Sequence, residues 1–294
     1  MTVTKKTAGT IQAARLSAPL RRRRRRFPWL AAAIVALFTL ITLAPIYWMV
    51  ISSLKTSAEL MRIPPTFWPE TFTLQQYRLL AERAGIWRAT GNSLVLALGT
   101  TAIVIVLGSA AAFAVTHLRY RRGRMLLGLS LITQFLPHAA VLLPVFIVWS
   151  ALGLVNSLPG ITLVYVAVQL PIAVWLLNGH FRSIPHEVVE AAQIDGASPL
   201  RTLLQVAVPM ALPGIGAVAI WCVIAVWSEL LFGLVLLSST QRTVSVALAS
   251  LIGENVTEMG ILMAGATIAT LPPVIMFFVL QRFLTNGLAG AVKG

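Results

Sequence analysis

The feature that most limits the fold of this chain is a run of 57 residues, Met125 to Phe181, that contains no Asp, Glu, Lys or Arg. A helix that spans a bilayer needs roughly 20 apolar residues, so this run has room for two. A turn is predicted between them at residues 153–160, which include two Gly, an Asn and a Pro. Charged residues make up only 11% of the chain, whereas a soluble domain carries about 25%. The chain is therefore predicted to be an integral membrane protein.

Six apolar segments are long enough to cross a bilayer as helices. They lie within residues 27–54, 89–116, the two parts of 125–181, 206–237 and 259–281. The longest piece between them, Lys55–Arg88, has room for a short amphipathic helix or cap. We therefore predict an all-α integral membrane protein with six transmembrane helices, divided into a basic cytoplasmic tail (residues 1–26) and a single transmembrane domain (residues 27–294).

The distribution of Lys and Arg predicts the orientation in the membrane. With the N-terminus in the cytoplasm, 17 of the 23 basic residues fall on the cytoplasmic side. Six of these form the run Arg21–Arg26, interpreted as a topology anchor that faces anionic membrane lipid. The net charge of +14 does not indicate nucleic-acid binding, because the basic residues cluster at the ends of apolar segments. We expect a multi-pass membrane protein with both termini cytoplasmic.

Sequence motifs for nucleotide, metal or nucleophilic chemistry are absent. There is no G-x-x-x-x-G-K-[ST] phosphate loop and no H-E-x-x-H, and the four His residues are scattered along the chain. Cys222 is the single Cys, so a disulfide framework is excluded. We expect no catalytic residue, no metal site and no cofactor in this chain. If the chain takes part in active transport, the energy must come from another subunit or from an ion gradient.

A polar segment of 20 residues, Glu190–Pro209, stands out between the apolar segments. Its Asp195-Gly196 pair predicts a turn, because Gly accepts a positive φ and Asp can bond its own backbone. Ser198-Pro199 predicts the start of a helix, with Ser as N-cap and Pro at the first helical position. The segment is expected to form helix, sharp turn, helix on the cytoplasmic face, a shape suited to docking a soluble partner.

Glu229, in the sequence Trp227-Ser228-Glu229, is the clear acidic candidate at membrane depth. A carboxylate at the bilayer centre costs roughly 2.5–3.5 kcal/mol on insertion scales, so it should face a cavity or a polar partner. It either accepts hydrogen bonds from a hydroxylated substrate, with Trp227 stacked on a sugar face, or it joins helices or reaches water at the outer end of its helix. Gln134 lies either on the same path or in a helix–helix hydrogen bond.

Prolines recur within the apolar segments and predict kinks, because each removes a backbone donor from the helix. So many kinks indicate a bundle that bends between states. The positions concerned are Pro137, Pro144, Pro171, Pro209, Pro213, Pro272 and Pro273.

The polar segment resembles the EAA loop of permease subunits of binding-protein-dependent ABC importers. The matching positions are Glu190, Ala191, Ala192, Asp195, Gly196, Val206, Val208 and Pro209. Trp227-Ser228-Glu229 is similar to the W-N-[DE] sequence of the sugar branch, with Ser228 in place of Asn. The ending Gly290, Ala291, Val292, Lys293, Gly294 resembles the G-A-V-K-G ending of maltose-permease-G-like subunits.

The resemblance implies the MetI-like fold of a type I ABC importer permease of the carbohydrate-uptake class, in a bacterial cell membrane. Such a permease works with a second, usually different, six-helix permease, two ATP-binding subunits that hold ATP and Mg, and an extracytoplasmic solute-binding protein. The loop at about residues 182–205, with Ser198 and Pro199, would couple to the ATPase, which the C-terminal pentapeptide would also reach. Alternatives are an importer of glycerol-3-phosphate or another polyol, a gradient-driven secondary transporter, and a membrane scaffold or enzyme. The small number of buried charges argues against the secondary transporter.

Overall fold

The computed structural model describes residues 28–118, 122–252 and 259–291, and all regular structure in these ranges is helical. The predicted basic tail of residues 1–26 and the terminal residues Val292, Lys293 and Gly294 lie outside the described residues. The chain divides into two compact units, Met1–Tyr47 and Trp48–Gly294.

The first helix, α1 (Pro28–Ser53), carries no charged residue and continues through Pro45. The side chains from Trp29 to Tyr47 are all exposed. A helix that is hydrophobic on every side and yet exposed is typical of a membrane span. The predicted first span is therefore present.

Helices of the second unit range from single turns to spans of more than 30 residues. In chain order they are α2 (Ser57–Leu60), α3 (Gln75–Ala84), α4 (Ile86–His117), α5 (Gly123–Ile132), a 3₁₀ turn (Thr133–Phe135), α6 (His138–Ala151), α7 (Leu158–Arg182), α8 (His186–Ile194), α9 (Pro199–Thr202), a π-helical segment (Leu203–Ala207), α10 (Val208–Met210), α11 (Leu212–Trp227), α12 (Leu231–Leu236), α13 (Val244–Ala249) and α14 (Met259–Ala291).

Four helices within the described ranges, α1, α4, α7 and α14, are long and apolar enough to cross a membrane, with a mean hydropathy of 2.0 to 2.3. Two further candidate spans are bent pairs, and counting each pair as one span gives six. The prediction of an all-α membrane protein with six apolar spans is confirmed in this form. The loop between α1 and α4 contains α2 and the amphipathic α3, which buries Leu80 and Ala84, as the sequence also predicts.

The third span is not a kinked helix but two helices at 99°. The break lies at Leu136-Pro137, where both residues are extended, with ψ of 127° and 128°. A residue before proline is pushed out of the α region by the proline ring, which accounts for the extended Leu136. Pro144 and Pro171, by contrast, lie inside continuous helices.

The fifth span also departs from the expected single helix. The stretch Pro199–Met210 meets α11 at 81° around Ala211, and Pro213 occupies the first turn of α11, where a missing N–H is tolerated. The helix then ends at Trp227. Glu229 therefore lies in the break between α11 and α12 and not within a helical span.

The core of the second unit is built on α4. Its most extensive contacts are with α7, and α11 packs against both α4 and α14. Gly108 permits the close approach to α7, because a Cβ added there would lie 3.2 Å from Leu177 Cδ1. Small residues at helix interfaces of membrane proteins have this role in general.

The bundle has two ends that carry different loops. At one end, α4 and α7 terminate beside α8, where His117, Phe181 and His186 meet. We call this end the coupling face. At the opposite end the backbone N–H of Asn156 donates to the carbonyl of Leu236 over 2.7 Å, and Asn156 Oδ1 accepts from the N–H of Ser238 over 3.0 Å. The loop before α7 is therefore joined to the end of α12 and to the residues that follow it.

Candidate functional site

The segment from residue 182 to residue 207, here called the EAA segment, forms the predicted helix–turn–helix. Helix α8 ends at Ile194 and Gly196 follows with φ +83°. The N–H of Gly196 donates to the carbonyl of Gln193, and the N–H of Ala197 donates to that of Ala192, each over 3.0 Å. These two bonds form a Schellman motif, which satisfies carbonyls at the helix end and needs a left-handed residue. The turn predicted from Asp195-Gly196 is confirmed.

The second half of the EAA segment begins as predicted at Ser198. The hydroxyl of Ser198 accepts a hydrogen bond from the N–H of Arg201 over 3.3 Å, and Pro199 occupies the first turn. The helix then widens into the π-helical segment Leu203–Ala207. A π-bulge is frequent at functional sites. The hydrogen bond to the Ser198 hydroxyl and the position of Pro199 confirm the N-cap interpretation.

One side of the EAA segment packs on the bundle and the other is exposed. Val189, Thr202, Leu203 and Ala207 are buried. Glu190, Ala191, Asp195, Gly196, Ser198 and Pro199 are exposed, and Ala192 is half-buried. Apolar side chains on the outer side are exposed as well, with Ile194 at 86% and Leu200 at 65%. These side chains are available for contact with a partner protein.

The predicted path residue Trp227 lies at the end of α11 with its indole 6% exposed. Its Nε1 donates to the carbonyl of Ala269 on α14 over 3.1 Å, and its own carbonyl accepts from the hydroxyl of Ser245. Ser228, the next residue, is exposed, and its hydroxyl bonds the carbonyl of Ile224 over 2.8 Å. Trp227 therefore joins two spans in this conformation.

The Glu229 carboxylate bonds two elements at once. Oε2 accepts from the hydroxyl of Tyr165 on α7 over 2.8 Å, and Oε1 accepts from the N–H of Phe232 over 3.1 Å. The second bond lies at the first turn of α12, where backbone donors lack helical partners and a negative charge is favourable. This geometry matches the helix-joining interpretation, while contact of Glu229 with a substrate stays a prediction.

Gln134 lies in the 3₁₀ turn that precedes the break at Pro137. Its Nε2 donates to the carbonyl of Val168 on α7 over 2.8 Å. Tyr165 and Val168 are one helical turn apart on α7. Glu229 and Gln134 are thus brought to the same turn of α7, although they are distant in sequence.

Two residue pairs with functional potential are not recognisable from the sequence. Tyr165 is buried in α7 as the partner of Glu229, and His117 lies beside His186 at the coupling face. Each pair joins residues more than 60 positions apart, so no local spacing could indicate it.

Of the C-terminal pentapeptide, Gly290 and Ala291 end α14.

The chain matches the profile of a family described as binding-protein-dependent transport system inner membrane component over residues 104–290. This chain belongs to that family. The match includes the EAA segment, Gln134 and Trp227–Glu229. The permease is therefore a transport subunit and a multi-pass membrane protein, as the sequence predicts.

Relatives of the permease extend over nearly its whole length. The trehalose transport system permease protein SugB of Mycobacterium tuberculosis is 35% identical over 256 residues, which cover 86% of this chain and 93% of SugB. The diacetylchitobiose uptake system permease protein NgcG of Streptomyces coelicolor is 29% identical over 268 residues, 90% of this chain and 88% of NgcG.

A solved structure shares the fold of the permease. The crystal structure of a bacterial ABC transporter involved in the import of the acidic polysaccharide alginate superimposes with a TM-score of 0.75 at 22% identity, covering 89% of this chain and 97% of the other. The predicted MetI-like permease fold is confirmed by this likeness and by the family match.

Proposed function

We propose that this permease is a membrane-spanning subunit of an ATP-driven importer that moves a sugar or oligosaccharide into the cell by alternating access. The observation that carries the proposal is the EAA segment. It is a capped helix–turn–helix with an exposed apolar outer side and an inner side packed on the bundle. A segment of this shape can receive a displacement from a soluble motor and pass it to the membrane helices.

The proposed assembly contains two permeases and two ATP-binding subunits. The permease has no phosphate loop, so ATP and Mg would be held by the ATP-binding subunits. The second permease is proposed to be a different six-helix chain, and an extracytoplasmic solute-binding protein delivers the substrate. The C-terminal residues 290–294 are proposed to reach the ATP-binding subunits, because their sequence resembles the ending of maltose-permease-G-like subunits.

The orientation proposed for the complex follows from the basic residues. Placing both termini in the cytoplasm puts 17 of 23 Lys and Arg on that side, in agreement with the positive-inside rule. It also puts the EAA segment in the cytoplasm, where ATP is available. The coupling face of the bundle would then be the cytoplasmic face.

A carbohydrate substrate is proposed from the relatives and from the chemistry of the path. SugB and NgcG are named for trehalose and diacetylchitobiose transport. Glu229, Tyr165, Gln134 and Trp227 supply the acceptor, hydroxyl, amide and aromatic groups that suit a hydroxylated solute. In the conformation described here they bond one another or the backbone. A change of conformation that opens these bonds would release the groups toward the substrate.

The proposal is tested by reconstitution of the complex purified through a tag on this chain. Proteoliposomes would contain the complex with its solute-binding protein, with ATP on the side of the ATP-binding subunits. We would measure uptake of radiolabelled trehalose, diacetylchitobiose, longer oligosaccharides and glycerol-3-phosphate. ATP-dependent accumulation of a saccharide supports the proposal.

Three results would contradict it. Accumulation of glycerol-3-phosphate with no saccharide uptake would make the substrate class wrong. Uptake driven by an ion gradient without ATP would make the energy source wrong. Labelling of a Cys introduced at residue 197 from the outside of intact cells would make the orientation wrong.

A further inference from the structure

A buried histidine lies where three helices meet at the coupling face. His117 is the last residue of α4 and is 8% exposed. Its Nε2 lies 3.0 Å from the carbonyl oxygen of Phe181, in the last turn of α7. Its Nδ1 lies 3.3 Å from Nδ1 of His186, the first residue of α8. One imidazole therefore contacts the ends of two spans and the start of the EAA segment.

The chemistry of the partners assigns the protons. A carbonyl oxygen can only accept, so Nε2 of His117 carries a hydrogen and donates to Phe181. In the neutral ring Nδ1 is then an acceptor, and Nδ1 of His186 must be the donor. The chain of bonds runs from His186 through His117 to the backbone of α7. It is directional, and no aliphatic side chain can replace it.

Aromatic packing holds the His117 ring in place. The rings of Phe113 and His117 have centroids 5.3 Å apart, and those of Phe113 and Phe181 are edge-to-face at 6.2 Å. The His117 and His186 rings are themselves edge-to-face, with centroids 4.8 Å apart. A displacement of α8 therefore presses directly on a buried and well-packed ring.

Helix α4 has no direct backbone connection to the EAA segment. Helix α7 precedes the EAA segment and α11 follows it, so both are joined to it through the backbone. Helix α4 is separated from the segment by α5, α6 and α7, although it lies at the centre of the bundle. A displacement of the EAA segment reaches α4 through packing on α7, α11 and the π-helical segment, and the His117–His186 bond adds a directional contact with the start of α8.

We propose that the hydrogen bond between His117 and His186 makes α4 move with the EAA segment, and that these two histidines are positioning residues for coupled transport. The proposal rests on the proposed function of the EAA segment as the element that the ATP-binding subunits displace. It adds a specific pair of residues through which that displacement enters the core of the bundle.

The test uses the whole complex with His117→Phe, which retains the ring packing and removes both hydrogen bonds. His186→Phe is the second variant; His186 is exposed, so its replacement leaves the core intact. His138→Phe, an exposed histidine near Phe232, is the matched control. For each we would measure ATP hydrolysis, solute uptake, and the ATP-induced fluorescence change of a probe on a Cys at residue 241, in a Cys222→Ala background.

We expect each of the two variants to lower uptake per ATP hydrolysed by at least about fivefold, the lower range of typical coupling effects, while hydrolysis stays within about twofold. The double variant should be no worse than His117→Phe, because that change already removes the contact that His186→Phe removes. His186→Gln, which retains a side-chain donor, should recover part of the ratio. A wild-type ratio of uptake to hydrolysis in both Phe variants would overturn the proposal.

The probe at residue 241 separates this proposal from the proposed function. If the probe on the wild-type complex responds to ATP but no saccharide is taken up, the proposal of sugar import is wrong. The proposed His117–His186 link can still be tested in that case, because His117→Phe should abolish the fluorescence response to ATP. If saccharide uptake is normal and His117→Phe behaves as wild type in every measurement, the link alone is wrong. A wild-type complex that neither transports nor responds to ATP overturns both.

Discussion

The indole nitrogen of Trp227 donates a hydrogen bond to the carbonyl oxygen of Ala269 over 3.1 Å. Ala269 lies four residues before Pro273, which lies inside α14 and has no N–H to offer. In a regular helix the carbonyl of Ala269 would accept from residue 273. Trp227 on α11 thus supplies the donor that the proline removes from α14, and it does so across a helix interface.

Trp227→Phe should therefore destabilise the permease without removing its aromatic ring. Hydrogen bonds between membrane helices contribute about 0.6 kcal/mol on average and up to about 1.7 kcal/mol, and the free energy of unfolding should fall by an amount in this range. The measurement is thermal or denaturant unfolding of the purified protein in detergent micelles, followed by circular dichroism.

Trp175→Phe is the control for this change. Trp175 is 52% exposed on α7, so its replacement should leave the unfolding free energy nearly unchanged. The interpretation of Trp227 as a helix-joining residue is wrong if Trp227→Phe is as stable as the control but raises the KM for uptake. That result would indicate stacking on the substrate instead.

Glu229→Ala should reduce solute uptake more than it reduces assembly of the complex. The change removes the acceptor of the buried Tyr165 hydroxyl and the bond to the first turn of α12. An orphaned buried donor costs about 1–3 kcal/mol, which is enough to alter the α11–α12 break without preventing insertion. Uptake kinetics and the yield of co-purified subunits are the measurements.

Tyr165→Phe distinguishes the two interpretations of Glu229. If the carboxylate acts through α7, Tyr165→Phe should reproduce most of the loss, and the double variant should add little. If it accepts hydrogen bonds from the substrate, Glu229→Ala should raise the KM while Tyr165→Phe leaves the KM unchanged. Equal and normal kinetics in both variants would leave Glu229 without a role in transport.

The sequence predicts the spans and the local turns because these depend on composition and on nearby residues. Uncharged runs longer than a bilayer is thick specify membrane helices, and the Gly196 and Ser198 positions specify their own cap geometries. The break of the third span is different. Leu136-Pro137, Leu143-Pro144 and Leu170-Pro171 are the same dipeptide, yet of the three only the first breaks its helix.

Tertiary contacts account for what the local sequence leaves open. After the break, α6 packs against α12. Gln134 turns toward Val168 on α7. The contact of His117 with His186 spans 69 positions and depends on how three helix ends meet. A single sequence holds no periodic signal for such contacts.

Gly196→Pro should uncouple ATP hydrolysis from transport while insertion in the membrane is retained. Proline holds φ near −65°, whereas Gly196 has φ +83° and its N–H donates to Gln193. Gly196→Ala should be milder, since a left-handed alanine costs about 1–2 kcal/mol and an added Cβ has no atom within 4 Å. Uptake and hydrolysis measured in the same proteoliposomes test this order.

Glu190→Lys should also uncouple transport, because it reverses a charge on the exposed part of α8. Its control is Glu187→Lys, one helical turn earlier, in the first turn of the same helix and also exposed. Co-purification of the ATP-binding subunits shows whether docking itself is lost. Wild-type uptake and co-purification in both Gly196→Pro and Glu190→Lys would show that the EAA segment does not couple transport to ATP.

Acid should loosen the loop between α1 and α3 through Glu59. Glu59 Oε1 accepts hydrogen bonds from the hydroxyl of Thr66 over 2.6 Å and from the N–H of Glu70 over 3.0 Å. These bonds hold the pKa of Glu59 below its ordinary value of 4.5, and the bond from Thr66 has the larger effect. A lowered pKa in the folded state means that the carboxylate stabilises the loop above the ordinary value. The stabilisation is lost as pH falls below 4.5 through the folded pKa.

Hydrogen–deuterium exchange of residues 59–73, corrected for the intrinsic pH dependence of exchange, measures this effect. Protection should be constant from neutral pH down to the ordinary pKa and then fall. Thr66→Val removes the hydroxyl that donates to Glu59, so it should lower protection from exchange at neutral pH. It should also reduce the further loss of protection in acid, because the pKa of Glu59 returns toward its ordinary value. Thr71→Val, the same change at an exposed position, should leave the profile unaltered. An unchanged acid profile in Thr66→Val would show that another group controls the loop.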